Sequence, residues 1–88
     1  MKKQLLTLLL TLIVTPLALA ETRIGVSIAQ VDDVFLAQMR DYMAAHARDL
    51  TDVTLQFEDA QGDVVRQLNQ VQSFSAQGMD AIIVNAVD

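Results

Sequence analysis

The chain has 88 residues and a formal net charge of −5. It contains no cysteine, which excludes disulfides, thiolate metal sites, cysteine nucleophiles and a lipid anchor on cysteine. The acidic balance, without any basic stripe, argues against nucleic acid and anionic membranes as partners.

A secretory signal peptide is predicted for residues 1–20. Lys2 and Lys3 form a positively charged start, an apolar stretch follows over residues 5–14, and small residues precede the expected cleavage point. A membrane anchor is the alternative, but a spanning helix needs about 20 apolar residues, and Pro16 interrupts this stretch. The signal and the lack of cysteine together predict an oxidising compartment, most simply a bacterial periplasm.

Strands alternate with helices along residues 21–88, which carry four arginines against eleven acids, a formal charge of −7. Apolar residues recur at every second position in the predicted strands and at helical spacing in the predicted helices. The five elements are strand 23–29, helix 34–50, strand 53–58, helix 64–77 and strand 81–84. This β-α-β-α-β order predicts an α/β fold, with a parallel sheet between two helix layers and right-handed crossovers.

Each strand has a pattern that predicts its place in the sheet. In the first strand, Ile24, Val26 and Ile28 alternate with small residues, as expected for a buried strand. The second strand alternates apolar with polar residues, which predicts a sheet edge, and the continuous apolar run at 81–84 predicts cover on both faces.

Each predicted helix has an apolar side and a residue suited to its ends. The apolar side of the first helix comprises Phe35, Met39, Tyr42, Met43 and His46, and that of the second comprises Val64, Leu68, Val71 and Phe74. Gln67 and Gln70 fall mostly off the second apolar side. Asp63 is a good N-cap for this helix, and Gly78 sits where a left-handed residue ends it.

Two carboxylates and an aromatic residue follow the first strand. Asp32 and Asp33 end its apolar run, and Phe35 falls in the first turn of the next helix. In open α/β sheets, ligands bind beyond the carboxyl ends of the strands. Carboxylates accept hydrogen bonds from hydroxyls, and an aromatic face covers the C–H side of a ring, so the cluster suits a polyhydroxylated ring. The alternative is structural, because either aspartate could cap the helix.

Other kinds of site lack parts in this sequence. The connection after the first strand has no glycine and carries two negative charges, which argues against a phosphate loop. His46 is the only histidine, so no metal site, cofactor site or nucleophile triad is predicted. Two alternatives use the Asp32 and Asp33 cluster or Asp59: a small secreted α/β enzyme and a sensor domain. The enzyme lacks a second catalytic partner, and the sensor lacks a DNA-binding helix-turn-helix.

The chain resembles the N-terminal lobe of periplasmic sugar-binding proteins of the ribose/galactose type, which are receptors of ABC importers. The resemblance lies in IGVSIAQVDDVFLAQM and LQFEDAQGDVVRQLNQVQSFSAQGMDAIIVNAVD and covers residues 23–88. Its most specific parts are residues 32–35, 59–63 and 77–85. It implies the type 1 periplasmic binding fold, in which two α/β lobes joined by a hinge close on one ligand.

The resemblance also implies a ligand site and partners. In the family, the position of Asp33 hydrogen-bonds a sugar hydroxyl and that of Phe35 stacks on the ring, with Asp32 as a neighbouring candidate. Asp59 and Asp88 match loop positions near the cleft, where a structural role is expected. The implied function is non-enzymatic capture of a monosaccharide or cyclitol in the periplasm for an ABC permease. A chemoreceptor is a further candidate partner.

One departure from the family pattern bears on the ligand. Some members have two adjacent aromatics where this chain has Phe35 and Leu36, which argues against ribose. The Asp-Asp-x-Phe-Leu pattern at 32–36, together with Glu-Asp-Ala-Gln at 58–61, resembles more closely the members that handle inositol or related cyclitols. Family members are several-fold longer and include a hinge and a second lobe. Residues 21–88 are therefore assigned as a partial N-terminal lobe, from a fragment or a truncated gene product, which is not expected to bind ligand alone.

Overall fold

The computed structural model describes residues 21–88, and the predicted signal peptide at residues 1–20 lies outside the described residues. The elements are β1 (Thr22–Ile28), α1 (Val34–Arg48), β2 (Val53–Asp59), α2 (Val64–Ala76) and β3 (Ala81–Val84). Every predicted element is therefore present, with each end within two residues of its predicted place. In this part of the chain, neither helix is long and apolar enough to cross a membrane.

The strands form one parallel sheet in the order β2-β1-β3. β1 takes the central place because its side chains from Ile24 to Ile28 are apolar or small, and Val26 and Ile28 are fully buried there. Of the described strands, β2 lies at an edge, as its alternating pattern predicts. The predicted parallel α/β arrangement is confirmed.

The two helices cover opposite faces of the sheet. Phe74 of α2 lies against Gly25 of β1, whereas the neighbouring Ile24 lines a groove with Tyr42 and Met43 of α1. Successive residues of a strand point to opposite faces, so these contacts define a helix–sheet–helix sandwich. The branched residues of β1 thus share the α1 face, and its small residues share the α2 face.

Close packing of α2 depends on Gly25. A Cβ atom on this residue would lie 2.5 Å from Cγ of the Phe74 ring, closer than carbon atoms approach without a shift of backbone or ring. Phe74 is only 1% exposed. Gly25 is therefore required by the approach of a buried ring rather than by its own backbone conformation.

The residues predicted to begin and end the helices do so. Asp33 is the N-cap of α1, and Asp63 is the N-cap of α2. Gly78 follows the end of α2 with a φ of 74°, the left-handed conformation that glycine adopts without steric cost. Local sequence therefore accounts for these helix boundaries.

The side of α2 that faces the sheet differs from the prediction. Phe74 is buried as expected, but Leu68 is 56% exposed and Val64 is 57% exposed. Gln67, which the pattern places off the apolar side, is only 8% exposed. The reason is hydrogen bonding, because Gln67 and Gln70 find polar partners beneath the ends of the strands.

The cover predicted for β3 is also absent among residues 21–88. Ile83 is 43% exposed and Val84 is 45% exposed. Within these residues β3 pairs only with β1, which leaves its other edge without a partner strand. The prediction that β3 is buried on both faces is therefore wrong for residues 21–88.

The predicted apolar side of α1 is only partly covered. No residue of this helix is buried, and Tyr42 is 74% exposed. Between α1 and the sheet runs an open groove of about 570 Å³. The groove, called the α1 groove below, is lined by Ile24, Tyr42, Met43, His46, Ala47, Leu50, Val53 and Leu55.

Candidate functional site

The carboxyl ends of the three strands meet at one edge of the sheet. Ile28 at the end of β1 pairs with Asp59 at the end of β2, and Ser27 pairs with Val84 at the end of β3. The connections that follow these strands therefore emerge side by side. This is the edge at which open α/β sheets bind ligands.

Asp33 has a structural role at this edge. Its Oδ1 accepts hydrogen bonds from the backbone N–H groups of Phe35, at 2.9 Å, and Leu36, at 3.2 Å. These bonds cap α1, as the structural alternative in the sequence analysis expects. Both bonds use Oδ1, and no described residue donates to Oδ2. One carboxylate oxygen thus fixes the helix while the other faces an exposed environment.

Phe35 is exposed in the first turn of α1. The residue is 72% exposed, and its ring lines a shallow groove of about 280 Å³ with Met39 and Met43. Asp32, next to the helix cap, is exposed as well. The ring is therefore not part of the interior of residues 21–88. Asp32 and Asp33 end the β1–α1 connection and Phe35 follows in the first turn of α1, so the three predicted site residues lie close together in the chain at the carboxyl edge.

Asp59 serves the architecture of the same edge. Its Oδ1 accepts hydrogen bonds from the N–H groups of Val31, at 3.3 Å, and Gln61, at 2.9 Å. The carboxylate thereby ties the connection after β1 to the connection after β2. This geometry agrees with the expectation that Asp59 is structural, whereas Asp88 is simply exposed.

Asn85 is a further polar residue at this edge, which the sequence pattern did not indicate. It follows β3 directly, and its Oδ1 accepts a hydrogen bond from the N–H of Ala29 at 3.0 Å. Its side-chain Nδ2 donates to no described residue, so an amide donor stands at the same edge as the carboxylates. The missed signal was positional, because a polar residue directly after a parallel strand falls at the edge that binds ligands.

The electrostatics of the edge favour a neutral hydroxylated ligand over an anion. Asp32, Asp33, Asp59 and Asp63 bring four formal negative charges to this edge, against one arginine, Arg66, in the first turn of α2. The cationic side chain of Arg23 binds the Gln77 carbonyl at the far end of the sheet. His46 lines the α1 groove, away from this edge. Among residues 21–88, no group of three or more acidic or histidine side chains is arranged to hold a metal ion.

Comparison with known proteins identifies the family and the fold of this chain. The family model described as periplasmic binding protein domain matches residues 24–88. A protein of Rhizobium meliloti named as rhizopine-binding is 46% identical over 88 residues, which are 100% of this chain and 28% of that protein. The chain thus spans little more than a quarter of the length of that curated relative.

Solved structures of ABC transporter solute-binding proteins share the fold. One from Bacillus halodurans, with bound myo-inositol, is 43% identical with a TM-score of 0.73, over 78% of this chain and 24% of that one. One from Mycobacterium smegmatis, with bound glycerol, is 30% identical with a TM-score of 0.72, over the same shares of both chains. One from Clostridium phytofermentans, with bound β-D-glucose, is 18% identical with a TM-score of 0.69, covers 75% of this chain and 20% of that one, and supports the fold alone.

These matches confirm the resemblance to periplasmic solute receptors that the sequence indicates. The parallel α/β fold and the family match over residues 24–88 agree with one another. The chain belongs to the periplasmic binding protein domain family.

Proposed function

We propose that this chain is part of the substrate-binding component of an ABC importer that captures a polyhydroxylated ring in the periplasm. The observation that carries the proposal is that the carboxylate of Asp33 and the ring of Phe35 lie near each other at the carboxyl edge of the sheet. Oδ2 of Asp33 takes no hydrogen bond from residues 21–88, and the Phe35 ring is 72% exposed. A hydrogen-bond acceptor and an exposed aromatic ring thus lie two residues apart at the capped start of α1.

The chemistry of the pair suits a ring with hydroxyl groups on its rim and C–H groups on its faces. Oδ2 of Asp33 accepts a hydrogen bond from a hydroxyl, and a charged acceptor makes such a bond strong. Phe35 covers a C–H face, which is apolar. Asp32 supplies a second acceptor, and Nδ2 of Asn85 supplies a donor for a hydroxyl oxygen.

A cyclitol is the preferred ligand class within this proposal. Phe35 is followed by Leu36, so the chain offers one aromatic face at this point rather than two. The relative from Bacillus halodurans, at 43% identity, was solved with bound myo-inositol. Both observations support a cyclitol over ribose, and a monosaccharide is the other outcome of the test below.

The proposed mechanism is closure of a cleft over the ring, followed by recognition of the closed form by an ABC permease. Residues 21–88 supply one wall of the cleft as part of an N-terminal lobe, and residues 1–20 direct export and are removed. Membership of a family of binding proteins agrees with the expectation that the chain is not an enzyme.

Titration calorimetry on the mature protein, as its gene encodes it, tests the proposal. We expect saturable binding of myo-inositol or a neutral monosaccharide, and none of an amino acid used as control ligand. Asp33→Asn keeps an N-capping oxygen but removes the charge, so helix content should be unchanged while affinity falls about ten-fold. Binding of the amino acid alone, or equal affinity in Asp33→Asn, would contradict the assignment.

A further inference from the structure

Two glutamines of α2 lie under the carboxyl edge of the sheet, where an apolar helix face is expected. Gln67 is 8% exposed and Gln70 is half-buried. The residues are three positions apart, so both side chains point to the same face of the helix. Burying two amides is costly unless each finds partners, and their partners are the ends of the three strands.

The hydroxyl of Ser27 joins the two glutamines at the end of β1. Ser27 is fully buried. Its Oγ donates to Oε1 of Gln70 at 2.8 Å and accepts from Nε2 of Gln67 at 3.0 Å. The single hydroxyl proton is therefore committed to Gln70, and the two amides are held in one relative orientation.

The same amides bind the chain where it leaves β2 and β3. Nε2 of Gln70 donates to the carbonyl oxygen of Asp59 at 2.9 Å. Nε2 of Gln67 donates to the carbonyl oxygen of Asn85 at 2.9 Å, and its Oε1 accepts from the N–H of Val87 at 2.9 Å. Among residues 21–88, no buried side-chain nitrogen or oxygen lacks a partner, so this network is complete.

The residues that the two glutamines bind, Asp59 and Asn85, also hydrogen-bond the β1–α1 connection, which leads to the candidate ligand residues. Oδ1 of Asn85 accepts from the N–H of Ala29 at 3.0 Å, and Oδ1 of Asp59 accepts from the N–H of Val31 at 3.3 Å. Ala29 and Val31 lead directly to Asp33. The glutamines thus bind Asn85 and Asp59, the two residues whose side chains hydrogen-bond the β1–α1 connection. Neither glutamine needs to contact the ligand for this role.

We propose that Gln67 and Gln70 are positioning residues for ligand binding, which hold the β1–α1 connection in its binding geometry through Asp59 and Asn85. The proposal rests on the function proposed above. A leucine at position 67 fills a similar volume but removes the hydrogen bonds that Gln67 makes to Ser27, Asn85 and Val87, so the ends of β1 and β3 lose the side chain that links them.

The test compares Gln67→Leu with Gln72→Leu in the mature protein as encoded. Gln72 is an exposed glutamine of the same helix, so its replacement controls for the change in side-chain type. Two quantities are measured: the Kd for myo-inositol by calorimetry, and the hydrogen-exchange rate of the Ala29 amide without ligand. The amide of Ala29 does not contact position 67, so its exchange reports transmission through Asn85.

We expect Gln67→Leu to raise the Kd about ten-fold, which corresponds to about 1.4 kcal/mol, and to speed exchange at Ala29 by about the same factor. Gln72→Leu should change neither. Lower thermal stability with unchanged Kd and unchanged Ala29 exchange would show a purely structural role and overturn the proposal.

A second variant covers the case in which Gln67→Leu does not fold. Binding by the mature protein without substitutions, called the parent below, separates failure of the positioning role from failure of the proposed function. If Gln67→Leu does not fold, Gln70→Leu is measured instead, with the Val31 amide as the reporter because Asp59 holds it. Unchanged Kd and Val31 exchange would again overturn the proposal. If the parent binds no cyclitol or monosaccharide, the proposed function fails, whereas failure of the variants alone removes only the positioning role.

Discussion

Phe35 is the residue whose replacement best separates ligand binding from stability. The side chain is 72% exposed, so Phe35→Ala should change the free energy of unfolding little. Loss of a stacking face should weaken ligand binding by about 1 kcal/mol, or about five-fold in Kd. Calorimetry with myo-inositol, together with a thermal melt of the ligand-free protein, measures the two effects separately.

His46→Ala is the matched control for this prediction. His46 lies on the same helix and is also exposed, but it lines the α1 groove rather than the carboxyl edge. Its replacement should leave the Kd unchanged. Equal losses of affinity in the two variants would count against the assignment of Phe35 to the site.

The residues of the site that could be predicted from sequence are those set by local rules. Asp33 caps the helix that follows it, and Phe35 falls in the first turn, so the sequence around them fixes their places. Asn85 reaches the same edge only because β3 pairs beside β1 and because its Oδ1 meets the N–H of Ala29. That contact joins residues 56 positions apart in the sequence, so no local sequence pattern predicts it.

At the scale of an element, the approach of α2 to β1 makes a sharp prediction for Gly25→Ala. Removing a strand glycine alone should stabilise by about 0.5–1 kcal/mol. The new Cβ would lie 2.5 Å from the Phe74 ring, and overpacking costs about 1–3 kcal/mol. The clash should win, so chemical denaturation should show a lower free energy of unfolding.

A double-mutant cycle with Phe74→Leu isolates that contact. Phe74→Leu should destabilise by itself because it removes part of a buried ring. If the clash is the cause, adding Gly25→Ala to Phe74→Leu should cost less than Gly25→Ala costs in the parent. Additive effects would place the loss elsewhere than in the contact of these two residues.

The helix α2 shows where pattern-based prediction ends. Its start at Asp63 and its end before Gly78 follow from capping rules. Its orientation does not, because a periodicity of apolar residues assumes that polar side chains face water. Gln67 is buried because it hydrogen-bonds Ser27 in β1 and Asn85 and Val87 after β3, and those partners come together only in the folded chain.

At the scale of the whole molecule, the alternation of elements was sufficient to predict the parallel α/β fold. Short connections and right-handed crossovers leave few other arrangements. Which outer faces of the helices and of β3 are buried was not predictable from residues 21–88, because their burial depends on what other parts of the protein pack against them. Exposed apolar side chains remain on both helices, after α1 and on β3, among them Tyr42, Leu50, Val64, Val65, Leu68, Ile83 and Val84.

Residues 21–88 produced alone should therefore bind no cyclitol or sugar and should self-associate. The outer edge of β3 has no partner strand among these residues, and exposed strand edges with apolar side chains promote association. A three-stranded sheet with this much exposed apolar surface should have marginal stability. Light scattering and calorimetry with myo-inositol, run beside the mature protein as its gene encodes it, measure both properties. A monomer with a cooperative thermal transition and saturable binding would contradict this prediction, and would mean that Asp33, Phe35 and their neighbours form a sufficient site by themselves.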